Sequence, residues 1–283
     1  MNLTPGKKGP LDGTLVLDLS RVLAGPWAGQ ALADLGARVI KVERPGRGDD
    51  TRSWGPPYLE SNEGRESAYY LSANRGKESV AVDFKDPRGR EILLKLAGKA
   101  DILIENYKVG GLVKYGLDYD SVKVFNPAIV YCSISGFGQQ GPYAKKPGYD
   151  FMIQAMSGLM SITGTEQPTK VGVAVSDLIA GLYASVGILG AYLKARETGR
   201  GEYIDIALLD AQLATLANQA SNYLVSGEPP GLAGNAHPNI VPYQVFETAD
   251  DPIVVAVGND GQFQAFCAVI GCADLAMDER FAS

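Results

Sequence analysis

Histidine is almost absent from this sequence: His237 is the single one in 283 residues. That excludes a multi-histidine metal site, and no metal ligand set is expected. A Ser-His-Asp arrangement would have no base other than His237 itself. Cysteine is scarce as well. Cys132, Cys267 and Cys272 form no CxxC pair and no dense disulfide framework, which fits a reducing compartment and a cytoplasmic chain. No apolar run reaches the ~20 residues needed to cross a bilayer. The longest, Leu178 to Leu193, is closed by Asp177 on one side and by Lys194 and Arg196 on the other. Its Gly181, Ala184, Ser185, Gly187 and Gly190 predict a buried helix packed closely through small side chains. The opening segment, MNLTPGKKGPLDG, has no apolar core of a secretory signal. Positive charge is not in excess: 26 Lys and Arg against 32 Asp and Glu give a net charge of −6. Nucleic acid and anionic membrane are therefore not expected as partners.

What is present is the composition of a folded chain, 46% hydrophobic and 20% charged. Short apolar runs alternate with helical patterns through the first half. Residues 14–19, 38–43, 79–83, 101–105 and 129–134 predict strands. Pro26 opens a helix through Leu35, and Asp86-Pro87 caps another that runs to Leu96. Residues 45–64, rich in Gly, Pro and charge, predict loop. This alternation predicts an α/β fold with a doubly wound, mostly parallel sheet over residues 10–200. Residues 201–283 are expected to begin a smaller α+β domain. Helices are expected over 150–160, 173–197 and 209–225, a strand over 203–208, a hairpin from 243–248 and 253–257, and a last helix near Gly261.

Neither GxGxxG nor GxxxxGK[ST] occurs. The turn after the first strand, Leu23-Ala-Gly-Pro-Trp-Ala-Gly29, spends one N–H on Pro26, so the standard nucleotide-binding loops are not expected. Instead, Arg44, Lys85, Asn106, Lys108 and Lys114 follow strand ends, where an open α/β sheet forms its ligand crevice. Cations gathered there suit a phosphorylated ligand, although each alone is also an ordinary surface charge. Three acids stand out. Glu166 is the single acid of the turn Thr163-Gly-Thr-Glu-Gln-Pro168. Asp150 and Asp177 begin apolar helices, where acids also serve as caps. His237, in Gly234-Asn-Ala-His-Pro-Asn239, suits a base or a turn, and a turn is favoured.

These blocks together resemble the class III CoA-transferases, the family that contains formyl-CoA transferase, carnitine CoA-transferase and the 2-methylacyl-CoA racemases. The matching stretches are residues 11–26, Leu35-Gly-Ala-Arg-Val-Ile-Lys-Val-Glu-Arg44, Gly46-Arg-Gly-Asp49, Val80-Ala-Val-Asp-Phe-Lys85 and Ile104-Glu-Asn-Tyr107. Further on come Ser133-Ile-Ser-Gly-Phe-Gly138, Gly141-Pro142, Gly148-Tyr-Asp150, Thr198-Gly-Arg-Gly201 and residues 234–246. The match runs in order along nearly the whole chain.

The resemblance implies a Rossmann-like fold without GxGxxG, interlocked homodimers, and transfer of CoA from an acyl-CoA to a small carboxylic acid. A dicarboxylic donor such as succinyl-CoA is expected. The CoA thioester is a substrate, and no permanently bound cofactor is implied. A side-chain carboxylate would take the acyl group as an anhydride and then hold CoA as a thioester. By resemblance the nucleophile is Glu166, where family members usually carry Asp, with Asp150 and Asp177 as the alternatives. CoA contacts map to Arg44, Val82, Asp83, Phe84, Lys85, Asn106, Tyr107, Lys108, Lys114, Ser135, Gly136, Phe137 and Gly138. The substrate loop maps to Gly234, Asn235 and His237. Racemases of the family carry histidine immediately before the acid that matches Asp150. Here that residue is Tyr149, so two-base racemisation is disfavoured. The other alternative is a non-catalytic CoA-binding fragment, because relatives continue past the end of this chain and the second domain is expected to be truncated.

Overall fold

A computed structural model describes residues 9–62 and 64–281. Its strands are β1 (Leu15–Asp18), β2 (Arg38–Glu43), β3 (Tyr58–Ser61), β4 (Gly64–Ser67), β5 (Lys77–Ala81), β6 (Ile102–Glu105), β7 (Val130–Ser135), β8 (Tyr203–Ala207), β9 (Tyr243–Phe246) and β10 (Ile253–Ala256). Its helices are α1 (Ala24–Asp34), α2 (Ala68–Ser72), α3 (Pro87–Ala97), α4 (Tyr119–Phe125), α5 (Asp150–Met156), α6 (Leu159–Ile162), α7 (Val175–Thr198), α8 (Leu208–Ala214), α9 (Ala217–Ser226) and α10 (Asp260–Val269).

Six strands form one sheet in the order β5-β2-β1-β6-β7-β8, and every neighbouring pair is parallel. This is the α/β, doubly wound arrangement predicted. The strand order reverses between β1 and β6, so the carboxyl ends of these two strands border the crevice where such sheets take ligands. Alternating side chains feed two cores. Val16, Val39, Ile104, Val130, Cys132 and Ile134 pack with α1 and α7 on one face. Leu17, Ile40, Leu103 and Tyr131 pack with α3 and α4 on the other. Burial on both faces is why the strands read as continuous apolar runs.

Helix α7 is the long apolar helix. Ala180, Gly181, Ala184, Ser185, Ile188 and Ala191 are buried, while Leu182, Val186 and Leu193 are exposed. A Cβ on Gly181 would lie 2.7 Å from the Ala24 carbonyl oxygen. Only glycine allows α7 to approach the first turn of α1 this closely.

Several boundaries differ from the sequence reading. Residues 58–67 contain the antiparallel β3–β4 hairpin, which begins inside the stretch 45–64 expected as loop and runs past its end, because Gly and Pro hid its alternation. The helix expected over 150–160 divides at Gly158, whose φ is +90°. The one expected over 209–225 divides at Thr215 and Leu216 into α8 and α9. The chain forms two compact units: residues up to 157 with 172–215, and 158–171 with 216–283. The boundary expected near residue 200 therefore falls later. Strand β8 completes the sheet, and residues 158–171 return to the second unit, where Gly234 N–H donates to the Gly164 carbonyl at 3.0 Å. In that unit β9 and β10 form the predicted hairpin.

Candidate active site

Two ion pairs are buried beside the carboxyl end of β1. Lys77 Nζ lies 2.9 Å from Asp18 Oδ2, and Lys41 Nζ lies 2.9 Å from Asp49 Oδ2, with all four side chains at most 2% exposed. Burial pushes Asp18 up, but Lys77 and Lys41 outweigh it and hold the carboxyl below its ordinary range. Asp49 also accepts the Val22 N–H at 3.2 Å. Val22 has φ +70°, a region that β-branched residues rarely enter. Holding it there costs on the order of 1–3 kcal/mol, which the buried network sustains. Asn106 grips the same turn from β6. Its Oδ1 accepts Arg21 N–H at 2.9 Å and its Nδ2 donates to the Arg21 carbonyl at 2.6 Å. The strand-end amide expected to face ligand is thus engaged at both atoms in shaping the β1–α1 turn.

The turn forms one wall of a cleft of about 270 Å³. Arg21 through Ala24 line it, with Asn106, Tyr107 and Lys108 from the end of β6 and Ser135 and Gly136 from the end of β7. Lys145, Lys146 and Tyr149 complete it around a half-buried carboxylate, Asp177. Gly136 can come so near the following loop only because it has no side chain: a Cβ there would lie 2.6 Å from the Gly148 Cα.

Asp177 lies in the first turn of α7, where the helix dipole favours the ionised form by about 0.3–1 kcal/mol. Burial wins over this. Together with the nearby charge of Asp150, it pushes Asp177 up to about 7. Among the described residues Asp177 has no ion-pair partner. Asp150 is occupied: its Oδ1 accepts Ser176 N–H at 2.8 Å and its Oδ2 accepts from Gln154 Nε2 at 2.7 Å. Asp150 therefore caps α7 from α5 and fixes the residue next to Asp177. The contact of Gly181 with Ala24, one turn along α7, sets Asp177 beside the first turn of α1. That turn has no side-chain cap; Pro26 has no N–H and Trp27 N–H donates to the Leu23 carbonyl at 2.7 Å, so the N–H groups of Ala24 and Gly25 are the ones that can meet a developing negative charge.

A smaller groove adjoins the cleft and shares Arg21 and Tyr107 with it. Arg44, Val82 and Phe84 line this groove. Asp50 bridges the two guanidiniums, with Arg21 Nη1 and Arg44 Nη2 each at 2.9 Å. Phe84 meets Tyr107 and Tyr115 edge to face at 5.6 and 5.0 Å. Lys114 Nζ lies 5.0 Å from the Tyr115 ring centre. Asp83 accepts the Lys85 N–H at 2.9 Å and turns the chain after β5. Phe137 packs on Tyr143 at 5.4 Å, and Gly138 takes φ +80°. The structure thus gathers Arg44, Val82, Phe84 and Tyr107 in one groove. It gathers Asn106, Lys108, Ser135 and Gly136 in the adjoining cleft.

Glu166, Gly234, Asn235 and His237 belong to the second unit. Glu166 is exposed on its turn. Gly234 and Asn235 border, with Thr165, an open depression of about 410 Å³. His237 is a turn residue: its Nδ1 accepts Asn239 N–H at 3.0 Å and its own N–H donates to the Tyr243 carbonyl at 2.9 Å. Arg21, Lys145 and Lys146 were not singled out as site residues from the sequence. Arg21 comes three residues after the end of β1 at the switch point, which is the signal that would have found it. The two lysines sit in a loop with no regular pattern, and only the fold places them beside Asp177.

Residues 11–283 match the family described as CoA-transferase family III. The chain is 56% identical to the succinate–glutarate CoA-transferase of Agrobacterium fabrum, across 99% of this chain and 71% of that one. It is 48% identical to the succinyl-CoA:glutarate CoA-transferase of Homo sapiens, across 96% of this chain. The chain spans 62% of that human protein's length. The crystal structure of a CAIB/BAIF family protein from Brucella suis is similar with a TM-score of 0.87 and 52% identity, covering 98% of this chain and 74% of that one.

Proposed function

Because the chain belongs to CoA-transferase family III, we propose that it moves CoA from a dicarboxylic acyl-CoA to a dicarboxylic acid, with Asp177 as the nucleophile. The observation that carries this reading is a carboxyl without a cationic partner, pushed up to about 7, in a cleft at the sheet's switch point. Such a carboxylate is a stronger nucleophile than a free one, and it still ionises near neutral pH.

The Asp177 carboxylate attacks the thioester carbonyl, and the N–H groups of Ala24 and Gly25 at the start of α1 meet the oxyanion. Collapse expels CoA thiolate and leaves a mixed anhydride. The thiolate then attacks the Asp177 carbonyl carbon and releases the donor acid, leaving Asp177 as a CoA thioester. An incoming carboxylate attacks that thioester, re-forms an anhydride, and receives CoA on its own carbonyl as Asp177 is freed. Arg44, Phe84, Lys85 and Lys114 suit the nucleotide end of CoA, and Arg21 stands where its arm would pass into the cleft. Lys145 and Lys146 suit the distal carboxylate of a dicarboxylic acyl group. The relatives named for succinyl-CoA and glutarate support that class. A homodimer fits the exposed Leu182, Val186 and Leu193 of α7.

The test is an exchange assay with succinyl-CoA and glutarate. Asp177→Asn is expected to lose about a thousandfold or more in kcat, and Glu166→Gln less than about twofold, as for an exposed surface acid. Replacing succinyl-CoA by butyryl-CoA is expected to cost kcat/KM. Full activity of Asp177→Asn would contradict the reading.

A further inference from the structure

A second cleft, of about 410 Å³, lies over the face of β6, β7 and β8 and plays no part in the chemistry above. Lys108 lines both clefts. The side chains that line this one, Tyr131, Ser133 and Tyr203, alternate with Cys132, Ile134 and Ile204, which pack under α1 and α7. The second cleft therefore opens on the sheet face opposite to α7 and Asp177. Glu105 forms part of its wall and is 6% exposed.

Both carboxyl oxygens of Glu105 are engaged. Oε2 accepts Tyr107 N–H at 2.7 Å, and Oε1 accepts the Ser133 hydroxyl. The first bond folds the chain after β6 over residues 106–108, which line the Asp177 cleft. The second ties that fold to β7, whose next residues, Ser135 and Gly136, form another wall of the same cleft. Asn106, between the two, holds the Arg21 turn. One side chain thus joins three walls of the cleft without entering it.

We propose that Glu105 is a positioning residue that sets the CoA-binding geometry of the Asp177 cleft according to its own charge, read from solvent through the second cleft. The proposal rests on the CoA reading of the Asp177 cleft. Ionised, the carboxylate accepts both hydrogen bonds at full strength. Protonated, it has one fewer acceptor site, and the fold over 106–108 loosens. Burial pushes Glu105 up to about 7, against the bonds from Ser133 and Tyr107, and Asp205 on β8 adds to the rise. The other groups facing it leave this charge uncompensated. Tyr131 on β7 and Tyr203 on β8 are pushed up and stay neutral, as does Cys132 on the opposite face of β7. From the α4 side, Asp118 caps Ser121 and Asp120 pairs with Lys123. Lys108 also lines the cleft wall but is not among the groups that shift Glu105.

The test measures binding of dephospho-CoA by calorimetry at pH 6 and pH 8. This probe lacks the phosphate monoester that itself titrates near about 6. If only ionised Glu105 is competent, the competent fraction makes binding to the wild-type protein about tenfold weaker at pH 6 than at pH 8. Glu105→Gln is expected to abolish that ratio, and Asp177→Asn to keep it. Ser133→Ala removes a bond that lowers the Glu105 pKa, so the midpoint of the pH dependence should move upward. That readout survives if Glu105→Gln fails to fold, and a merely structural role would not move it. An unchanged ratio in Glu105→Gln, or an unmoved midpoint in Ser133→Ala, overturns the proposal alone. Absence of binding to the wild-type protein at pH 8 overturns the CoA reading with it.

Discussion

Asp150 and Ser176 lie on different helices, yet the carboxylate of one accepts the backbone N–H of the other at 2.8 Å. The bond caps α7 and brings a second negative charge close to Asp177, the next residue. After burial, that charge is the second cause of the raised Asp177 pKa. Asp150→Asn should therefore lower the pKa of Asp177 and leave its environment buried. The acid limb of the kcat/KM profile should move to lower pH by about half a unit or more. A limb that stays in place would remove Asp150 from the tuning of this site.

Stability should oppose activity at the same residue. Folded Asp177 titrates near 7, whereas its ordinary value is 3.8. The folded state therefore binds the proton more tightly. Its stabilisation is complete below about pH 4 and is lost as pH rises through 7. At pH 8 the buried charge is a cost, with a ceiling of about 4 kcal/mol from three pKa units. Asp177→Asn should raise Tm at pH 8 and change it little at pH 4. Equal Tm shifts at both pH values would contradict this.

Two glycines of α7 should respond with opposite signs. A Cβ at Gly181 meets the Ala24 carbonyl at 2.7 Å, whereas a Cβ at Gly190 has nothing within 4 Å. Gly181→Ala should destabilise by about 1–3 kcal/mol through overpacking and slow turnover by shifting Asp177 from α1. Gly190→Ala should stabilise by up to about 1 kcal/mol, the helix-propensity difference. Urea unfolding of the two variants reads both.

Much of the fold was legible because its signals are local. Arg38–Glu43 is the predicted strand to the residue, and Asp86 with Pro87 opens α3 as expected, the Asp86 carboxylate accepting Arg88 N–H. The β3–β4 hairpin was not legible, since Gly64 and the prolines before Tyr58 mask a two-residue period. At the site, Arg44 and Lys108 could be placed from strand ends alone. The acid could not. Glu166, Asp150 and Asp177 look alike as sequence, and what separates them is burial and partners. Glu166 is exposed, Asp150 is bonded at both oxygens, and Asp177 is half-buried and unpaired. The role of Asn106 was hidden in the same way, because its partner is the backbone of Arg21, distant in sequence.

The Lys41–Asp49 pair supports the strained Val22 turn, so Asp49→Asn should be costly beyond the loss of one contact. It leaves the buried Lys41 ammonium unpaired, at about 3–5 kcal/mol. Thermal unfolding should show that loss, and KM for acyl-CoA should rise as the turn relaxes. A Tm within a degree or two of wild type would contradict this account of the turn.

The central claim is that acyl and CoA pass through the Asp177 carboxyl. Incubation with succinyl-CoA, trapping with hydroxylamine and peptide mapping by mass spectrometry test it directly. The account predicts a hydroxamate on the peptide that contains Asp177, absent from Asp177→Asn. A hydroxamate on Glu166, or one that persists in Asp177→Asn, would contradict it.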